Sequence, residues 1–567
     1  MSLPFNIALI ALTICASTAL AADIPDSGRL LRESAPPPAV APRQQLPDIQ
    51  KPVEQKESKD QSPSGVRVTV SGFTFTGNTV FSSDELSALL AGYIGKELTL
   101  TELNAVAAQI TEAYRARGYF LASALVPPQT IKADALITIQ IIEGILEGIR
   151  LETVPPETRT PTQLLKNNID RVPTGKPAEE EALSAMVMRI NEIPGINSRI
   201  LLEPGSRTGT TKALLEVKEG KPYNVSVDTD NHGNYSTGFY RIGSTLELYS
   251  PLRRGDLFTA RAQTSTSGDT QSFQAGYSLP VSGSGTKVGF NYSYVTYQLG
   301  GSFKALDADG DAHNFTLSVT QPVIRSRSLI LNLSLAGEEK ILNDRTGSAG
   351  LKKQRHTTAV QLGVNGVEMD SWFGGGSTSF SLTYFGGYLS FDDGETKTYD
   401  QSALGLHTDG GYNKLVMNAS RNQTIYKNVS FYAGANSQWA STNLDSVEQF
   451  SLGGPSGVRA FSVSEASCDK GFVSTAELRY LFDTLGPVPG SLQVAALVDY
   501  GHAVIHDDPV IAFANTRNLT GVGFGLSWFE PGGMSARISA AWQTAGTSTG
   551  KSSIEQPTVY FQAVKRF

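Results

Sequence analysis

From about Lys221 to Phe567 the chain is an unbroken series of short segments in which apolar and polar residues alternate. Alternation at period two gives a strand one greasy face and one wet face. In 520–528 the set Thr520, Val522, Phe524, Leu526 and Trp528 opposes Gly521, Gly523, Gly525 and Ser527. In 492–500 the set Leu492, Val494, Ala496, Val498 and Tyr500 opposes Gln493, Ala495, Leu497 and Asp499. A water-soluble sandwich also alternates, so one segment decides nothing. The series decides: about 350 residues of it, ending on an aromatic residue, is the pattern of a closed barrel with lipid outside and water inside.

Counting gives about sixteen segments, most of about ten to thirteen residues, which suits a tilted crossing of a bilayer. The central ones are expected at 312–322, 328–338, 356–369, 376–388 and 410–421. Connections after even-numbered strands are short, as at 281–285, 325–327 and 531–532. The long ones, near 299–311, 339–355, 389–409 and 441–469, follow odd-numbered strands. Outer-membrane barrels have this asymmetry of short periplasmic turns and long external loops. The chain is 18% charged and 40% hydrophobic, with a net charge of −7. It has no internal apolar run long enough for a transmembrane helix, and a barrel needs none.

The front of the chain has a different character. Residues 1–21 read as a secretory signal, with an apolar core over 7–16 and Ala19-Leu20-Ala21 as a small-x-small cleavage site. Cleavage there removes Cys15 and leaves Cys468 alone, so no internal disulfide or cysteine-based metal site is expected. Residues 22–33 hold a short helical candidate, Pro25 to Glu33. The tract 34–65 is rich in Pro, Gln, Glu, Lys and Ser and reads as an extended linker. At about 3.1 Å per residue where it is polyproline-like, it could span roughly 100 Å.

Residues 66–220 contain the same element order twice. A strand at 67–75 is followed by two helices opening at the capping boxes Ser82-Ser83-Asp84-Glu85 and Thr99-Leu100-Thr101-Glu102. Strands at 119–126 and 135–142 then end on Glu143-Gly144. The order recurs as a strand at 147–153, a capped helix at Thr160-Pro161-Thr162-Gln163, a helix near 178–191 and strands at 196–203 and 211–218, ending on Glu219-Gly220. Two β-α-α-β-β units of about 75 residues are an internal repeat, which places modules at 66–145 and 146–220 ahead of a barrel at 221–567.

This order of parts resembles the outer-membrane transporters of two-partner secretion, members of a superfamily whose periplasmic modules are called POTRA domains. The segments Arg117-Gly118-Tyr119, Pro127-Pro128-Gln129 and Ile142-Glu143-Gly144 are similar to the first such module. Asp230-Asn231-His232-Gly233-Asn234 and Gly255-Asp256 resemble the opening hairpins of the barrel. The stub Asp26-Ser27-Gly28-Arg29-Leu30-Leu31-Arg32 matches the family's pore-plugging helix, which implies that role for Arg29, Leu30, Leu31 and Arg32. Leu452 to Phe461 resembles the family's loop after strand eleven, whose Val-Arg-Gly-Tyr tip folds into the lumen. Here the tip is Val458-Arg459-Ala460-Phe461, with Ala460 for Gly and Phe461 for Tyr. If position 460 needed a positive φ, Ala would be costly there. Cys468 stands where Gly is usual before Asp469-Lys470-Gly471.

The family's partner for the loop arginine is an aspartate on the inner wall of strand thirteen, and alternation places Asp499 on that wet face. An arginine in a narrow lumen needs a carboxylate to offset its desolvation. The alternative is a solvated loop arginine. The terminal strand, with Phe561 and Phe567 on one face and Lys565 beside them, has the ending that the barrel-assembly machinery recognises in its substrates.

The resemblance implies an outer-membrane pore with periplasmic POTRA domains. It would export an unfolded partner protein, haemolysin- or adhesin-like, that carries an amino-terminal secretion domain. The rival readings are an insertase of the same superfamily and a passive porin. Neither a nucleic-acid partner nor a cofactor is implied. Asp307-Ala308-Asp309-Gly310-Asp311 hints at calcium, but Gly310 is misplaced and position 318 is Ser, so an acidic external loop is expected. His502 and His506 are expected in a solvated loop. No nucleophile elbow, phosphate loop or paired catalytic carboxylates are present, and no enzyme is read.

Overall fold

The computed structural model describes residues 24–34, 49–50, 67–130, 136–155, 157–510, 514–548 and 556–567. The signal-peptide reading and most of the linker fall outside them.

The carboxy-terminal part closes into an antiparallel barrel of sixteen strands, from Tyr223–Asp230 to Thr558–Arg566. Alternation sorts the side chains as expected. Phe524 (63% exposed) and Val498 point outward, while Asp499 is fully buried on the inner wall. The first and last strands close the ring between Ser226↔Arg566 and Asp230↔Gln562. Asn231 lengthens that seam with its side chain. Its Nδ2 donates to the Val559 carbonyl (2.8 Å), and its Oδ1 accepts from the Phe561 amide (2.8 Å). Phe567 donates its amide to the Val225 carbonyl (2.9 Å), and Lys565 reaches the Gly532 carbonyl (3.2 Å).

Five central strands are longer than their hydrophobic pattern: Ala308–Arg325, Leu329–Thr346, Leu351–Asp370, Gly376–Phe391 and Gly410–Tyr426. The expected loop 339–355 is mostly ladder, paired without a break from Leu329↔Glu368 to Thr346↔Leu351. Once a strand clears the lipid its outer face is wet too, so the alternation fades while the hydrogen bonds continue. For the same reason Asp309 and Asp311 are strand residues, with Asp309 paired to Arg345 (2.5 Å). His502 likewise lies in the strand Ser491–Val504, and the His506 side chain is only 17% exposed, 3.7 Å from Asp469.

Ahead of the barrel stand helix α1 (Ser27–Glu33), the two-residue strand β1 (Ile49–Gln50) and the two repeated modules. The first module has β2 (Arg67–Thr69), β3 (Gly72–Thr76), α2 (Ser83–Leu90), β4 (Glu97–Thr99), α3 (Leu100–Ala116), β5 (Ser123–Leu125) and β6 (Leu136–Ile142). β6 lies parallel to β3 and antiparallel to β5, and β2 pairs with β4. Both capping boxes form as read, at Ser82/Glu85 and Thr99/Glu102. Such a cap stabilises a helix by about 1 kcal/mol. The apolar stripes of α2 and α3 bury Leu86, Leu90, Leu103, Val106 and Ile110 against Ile137 and Ile139.

The second module repeats this with β7 (Ile145–Val154), α4 (Thr162–Ile169), α5 (Glu180–Asn191), β8 (Ile196–Pro204) and β9 (Thr210–Glu219). The repeated Glu-Gly endings have one structural use. Glu143 accepts hydrogen bonds from the Thr79 and Val80 amides and the Thr79 hydroxyl. Glu219 accepts from the Arg159 and Thr160 amides and the Thr160 hydroxyl. In each module the closing glutamate thus ties down the chain entering the first helix. Thr160 therefore does not cap α4, whose N-cap is Pro161 with no side-chain bond.

One difference separates the modules. β1 adds in parallel to β8, with Ile49↔Ile200 and Gln50↔Leu201. The corresponding edge of the first module, β5, has no added strand among the described residues. The second module also docks on the barrel's short turns. Arg325 pairs with Glu192, Arg327 donates to the Ser184 hydroxyl (3.1 Å), and Lys287 reaches the Glu192 carbonyl (3.3 Å).

Candidate gating site in the barrel lumen

The alternation that greases the outer wall leaves the inner wall polar, and its charges pair between neighbouring strands or across one strand. Arg241 bonds Asp230 (2.8 Å), and Arg261 bonds Asp228 (2.6 and 2.8 Å). Two further pieces of chain fill the space inside: the loop 441–469, between the strands Val429–Ala440 and Lys470–Phe482, and helix α1.

The loop tip meets the wall at Arg459. Its backbone amide (3.1 Å) and Nε (2.8 Å) donate to Asp499 Oδ2, its Nη2 donates to Oδ1 (2.7 Å), and its Nη1 donates to Glu477 Oε1 (2.6 Å). Thr475 gives Asp499 a further hydroxyl donor (2.8 Å), and Arg479 shares Glu477 (2.7 Å). Val458, Ala460 and Phe461 are fully buried with Leu452. The Ala460 carbonyl accepts from Gln543 (3.1 Å) and Thr558 (2.9 Å), and the Phe461 carbonyl accepts from the Tyr560 hydroxyl (2.8 Å). Position 460 does not need a positive φ; the loop's residues with positive φ are Gly454, Ser464 and Ala466. The Ala460 methyl instead faces Gly521, where an added Cβ would come within 2.6 Å of it. The departure from Gly at 460 is accommodated by a Gly on the wall that the tip meets, directly across the ladder from Asp499.

The loop base has its own anchors. Glu448 is held between Lys340 and Lys414 (2.6 Å each). Asp469 accepts from the Leu444 amide (3.1 Å), Gln449 (3.1 Å) and the Asp507 amide (3.0 Å). Cys468, where Gly is usual, is a buried free thiol in the two-residue strand Ser467–Cys468, paired to Phe450–Ser451.

Helix α1 begins at Asp26, whose side chain accepts from the Arg29 amide (2.9 Å). Leu30 and Leu31 are buried against Val295, Tyr297 and Leu342 of the wall and Val447 of the loop. Arg29 pairs with Glu33 (3.0 Å) and donates to the Val463 carbonyl (3.2 Å). Arg32 bonds the Gln449 carbonyl and the Ser451 hydroxyl (3.3 Å). At the helix C-terminus, Arg241 donates to the Glu33 carbonyl (3.0 Å) and Gln274 to the Ser34 carbonyl (2.9 Å). A cation there offsets the negative end of the helix dipole. Gly28 lies so close to the loop that an added Cβ would fall 2.8 Å from the Val447 amide nitrogen.

Sequence reasoning brought Arg459 to Asp499 and put the stub in a helix. It missed Glu477 and the wall residues that hold the helix and the loop base, Arg355, Lys340 and Lys414 among them. The available signal was charge at inward parity in strands that carry it on both faces. Among the described residues no group of three or more His, Cys, Asp or Glu could hold a metal ion.

The comparisons agree with this architecture. Residues 209–528 match the family model described as haemolysin secretion/activation protein ShlB/FhaC/HecB, and residues 68–144 match the POTRA domain, ShlB-type. The chain is 28% identical over 465 residues to the heme/hemopexin transporter protein HuxB of Haemophilus influenzae, covering 81% of this chain and 80% of that protein. It is 26% identical over 521 residues to the outer membrane transporter CdiB of Dickeya dadantii, covering 88% and 87%. Its fold is similar to that of CdiB from Escherichia coli, with a TM-score of 0.68 at 23% identity over 100% of this chain and 99% of the other. The family model spans more than half of the sequence, and the chain belongs to the haemolysin secretion/activation protein family ShlB/FhaC/HecB.

Proposed function

We propose that this chain is the outer-membrane pore of a two-partner secretion pair. In this reading it takes an unfolded, haemolysin- or adhesin-like exoprotein from the periplasm to the cell surface without ATP. The observation that carries the reading is a lumen occupied by two pieces of the chain itself, α1 and the loop tip, behind two POTRA modules. A diffusion porin needs no such periplasmic receptor. In this reading α1 is the resting plug, Arg459 and Asp499 lock the loop, and the POTRA modules receive the cargo's secretion domain. Phe561 and Phe567 carry the signal for assembly of the barrel into lipid.

An exposed strand edge can accept an extended peptide by β-augmentation. The edge β5 of the first module, which has no added strand among the described residues and whose Ala124 amide donates only to the Thr111 hydroxyl of α3 (2.9 Å), suits that role, whereas a peptide entering at β8 must displace Ile49–Gln50. The test is whether a neighbouring gene encodes a long secreted protein and whether cells expressing both proteins carry it to their surface. Removing residues 66–145 should leave a heat-modifiable barrel in the membrane and abolish export. Failure to export that partner, together with loss of other outer-membrane proteins from cells lacking the chain, would favour the insertase reading.

A further inference from the structure

One arginine on the barrel wall touches both of these pieces. Arg355, on the strand Leu351–Asp370, has a fully buried side chain. Its Nη1 lies 2.6 Å from Asp344 on the neighbouring strand, its Nη2 lies 2.9 Å from Asp26 of the plug, and its Nε lies 2.9 Å from Asp445 of the loop. Ser446 of the loop donates to the same Asp26 oxygen (2.6 Å), and Ser27 of the plug donates its amide (2.8 Å) and hydroxyl (2.9 Å) to Asp344.

The local charge balance gives this arrangement a direction. Asp26, Asp344 and Asp445 face two cations, Arg355 and Lys353, the latter 3.3 Å from Asp445. The seated state therefore carries one surplus negative charge, offset by neutral donors including Ser27, Ser446 and the Tyr297 hydroxyl (2.8 Å to Asp344). Like charges held this close in a poorly hydrated site repel strongly unless a cation lies between them. Arg355 is that cation, and its fork can satisfy several carboxylates at once where a lysine presents a point charge.

We propose that Arg355 is a positioning residue that couples the plug to the loop: it is the shared counter-ion of Asp26 and Asp445, so plug and loop seat and unseat together. Cargo that dislodges one piece thereby loosens the other, and the pore does not pass through a state with only half its closure removed. This deepens the plug reading of α1 and rests on it. Deleting residues 22–33 tests the plug separately, because conductance must then rise whatever Arg355 does.

The coupling is tested on the full chain in a Cys15→Ser background with two readouts. Single-channel conductance in planar bilayers reports the plug. The rate at which N-ethylmaleimide labels Cys468, buried at the loop's own base, reports the loop. Arg355→Gln, with barrel insertion checked by heat-modifiable mobility, should raise both the open fraction and the labelling rate at least tenfold. Adding Asp26→Asn to Arg355→Gln removes one of the stranded carboxylates and should return both readouts toward wild type, a rescue that a packing role for Arg355 does not give. If only one readout moves, or if Asp26→Asn gives no rescue, the coupling is wrong. Should Arg355→Gln fail to insert, Arg355→Lys is measured instead: an intermediate rise in both readouts supports the coupling, and wild-type behaviour overturns it.

Discussion

Replacing either partner of the Arg459–Asp499 pair should release the loop tip, and the surroundings of the pair predict unequal costs. In Arg459→Ala, Asp499 loses its two guanidinium donors and is left with Thr475 and the amide of residue 459, while Glu477 keeps Arg479. A fully buried carboxylate is then left without a cation, which costs about 3–5 kcal/mol. In Asp499→Ala the guanidinium keeps its 2.6 Å bond to Glu477, so the loss is nearer the roughly 1.5–3 kcal/mol of a charged hydrogen bond. At about 1.4 kcal/mol per factor of ten, Arg459→Ala shifts the seated-to-released balance of the tip by more than about a hundredfold, and Asp499→Ala by roughly tenfold to a hundredfold. Secretion of the partner protein by intact cells, with barrel insertion as control, should fall in the same order.

Glu477 also decides what a charge swap can do. Arg459→Asp with Asp499→Arg sets the new aspartate beside Glu477 and loses the backbone bond from residue 459, so the swap should restore little. The informative experiment is the double-mutant cycle of the two alanine variants, in which the double variant should be much less defective than the sum of the singles. Normal secretion by both single variants, or strict additivity, would remove the lock and leave Arg459 as an ordinary loop residue.

Gly28→Ala should unseat the plug and raise single-channel conductance, because the added methyl meets the Val447 backbone, although Ala favours helix over Gly by about 1 kcal/mol. A quieter channel would mean that helix propensity outweighs the packing. Ile49→Pro with Gln50→Pro removes the backbone donors of β1 and should strengthen binding of the partner's secretion domain to the full chain, read by titration calorimetry; unchanged affinity would show that this edge receives no cargo. Burial alone would raise the Glu143 carboxyl, but hydrogen bonds from Thr79, Val80 and Tyr114 more than offset it and hold the group below its ordinary range. A depressed carboxylate contributes stability above its unfolded pKa and loses it as pH falls through the folded value. Hydrogen exchange at the Thr79 and Val80 amides should therefore speed up below about pH 4 relative to Glu143→Gln, in which protection should already be low at pH 7.

Strand number and facing were legible because lipid imposes period two wherever it touches the wall. That is why Asp499 could be assigned to the lumen from the sequence. The tall hairpin of Leu329–Thr346 and Leu351–Asp370 was not legible, since above the lipid Lys340, Asp344 and Arg355 face inward while Arg345 and Lys352 face out. With charge on both faces, nothing in the sequence separates strand from loop. The partners of those inward charges were hidden for a second reason. Asp26 and Asp344 are 318 positions apart and meet Arg355 only after the ring has closed, so no local spacing records the contact. The Val-Arg motif and its aspartate partner were legible through the resemblance to the family, and parity added that Asp499 stands on the wet face of its strand.

The way the lumen is closed follows from what must later leave it. Helix α1 has seven residues, too few to hold together in water by itself. Its buried aliphatic anchors are Leu30 and Leu31, each contributing about 1.5–3 kcal/mol on burial. Its other attachments are hydrogen bonds and ion pairs, from Asp26 and Ser27 at one end to Arg241 and Gln274 at the other. Water and passing peptide groups can replace bonds of that kind one at a time, whereas a wholly apolar seat would have to be stripped bare before the helix moved. The wall is built differently, since Arg241–Asp230 joins adjacent strands, Arg261–Asp228 reaches across the strand between theirs, and both stay satisfied when the helix is gone. Arg241 loses only the Glu33 carbonyl. Arg355 has no such independence: two of its three carboxylates belong to pieces that move. On the reading of α1 as a plug, the barrel keeps its shape through paired charges of its own, and Arg355 is the arginine through which plug and loop depend on each other.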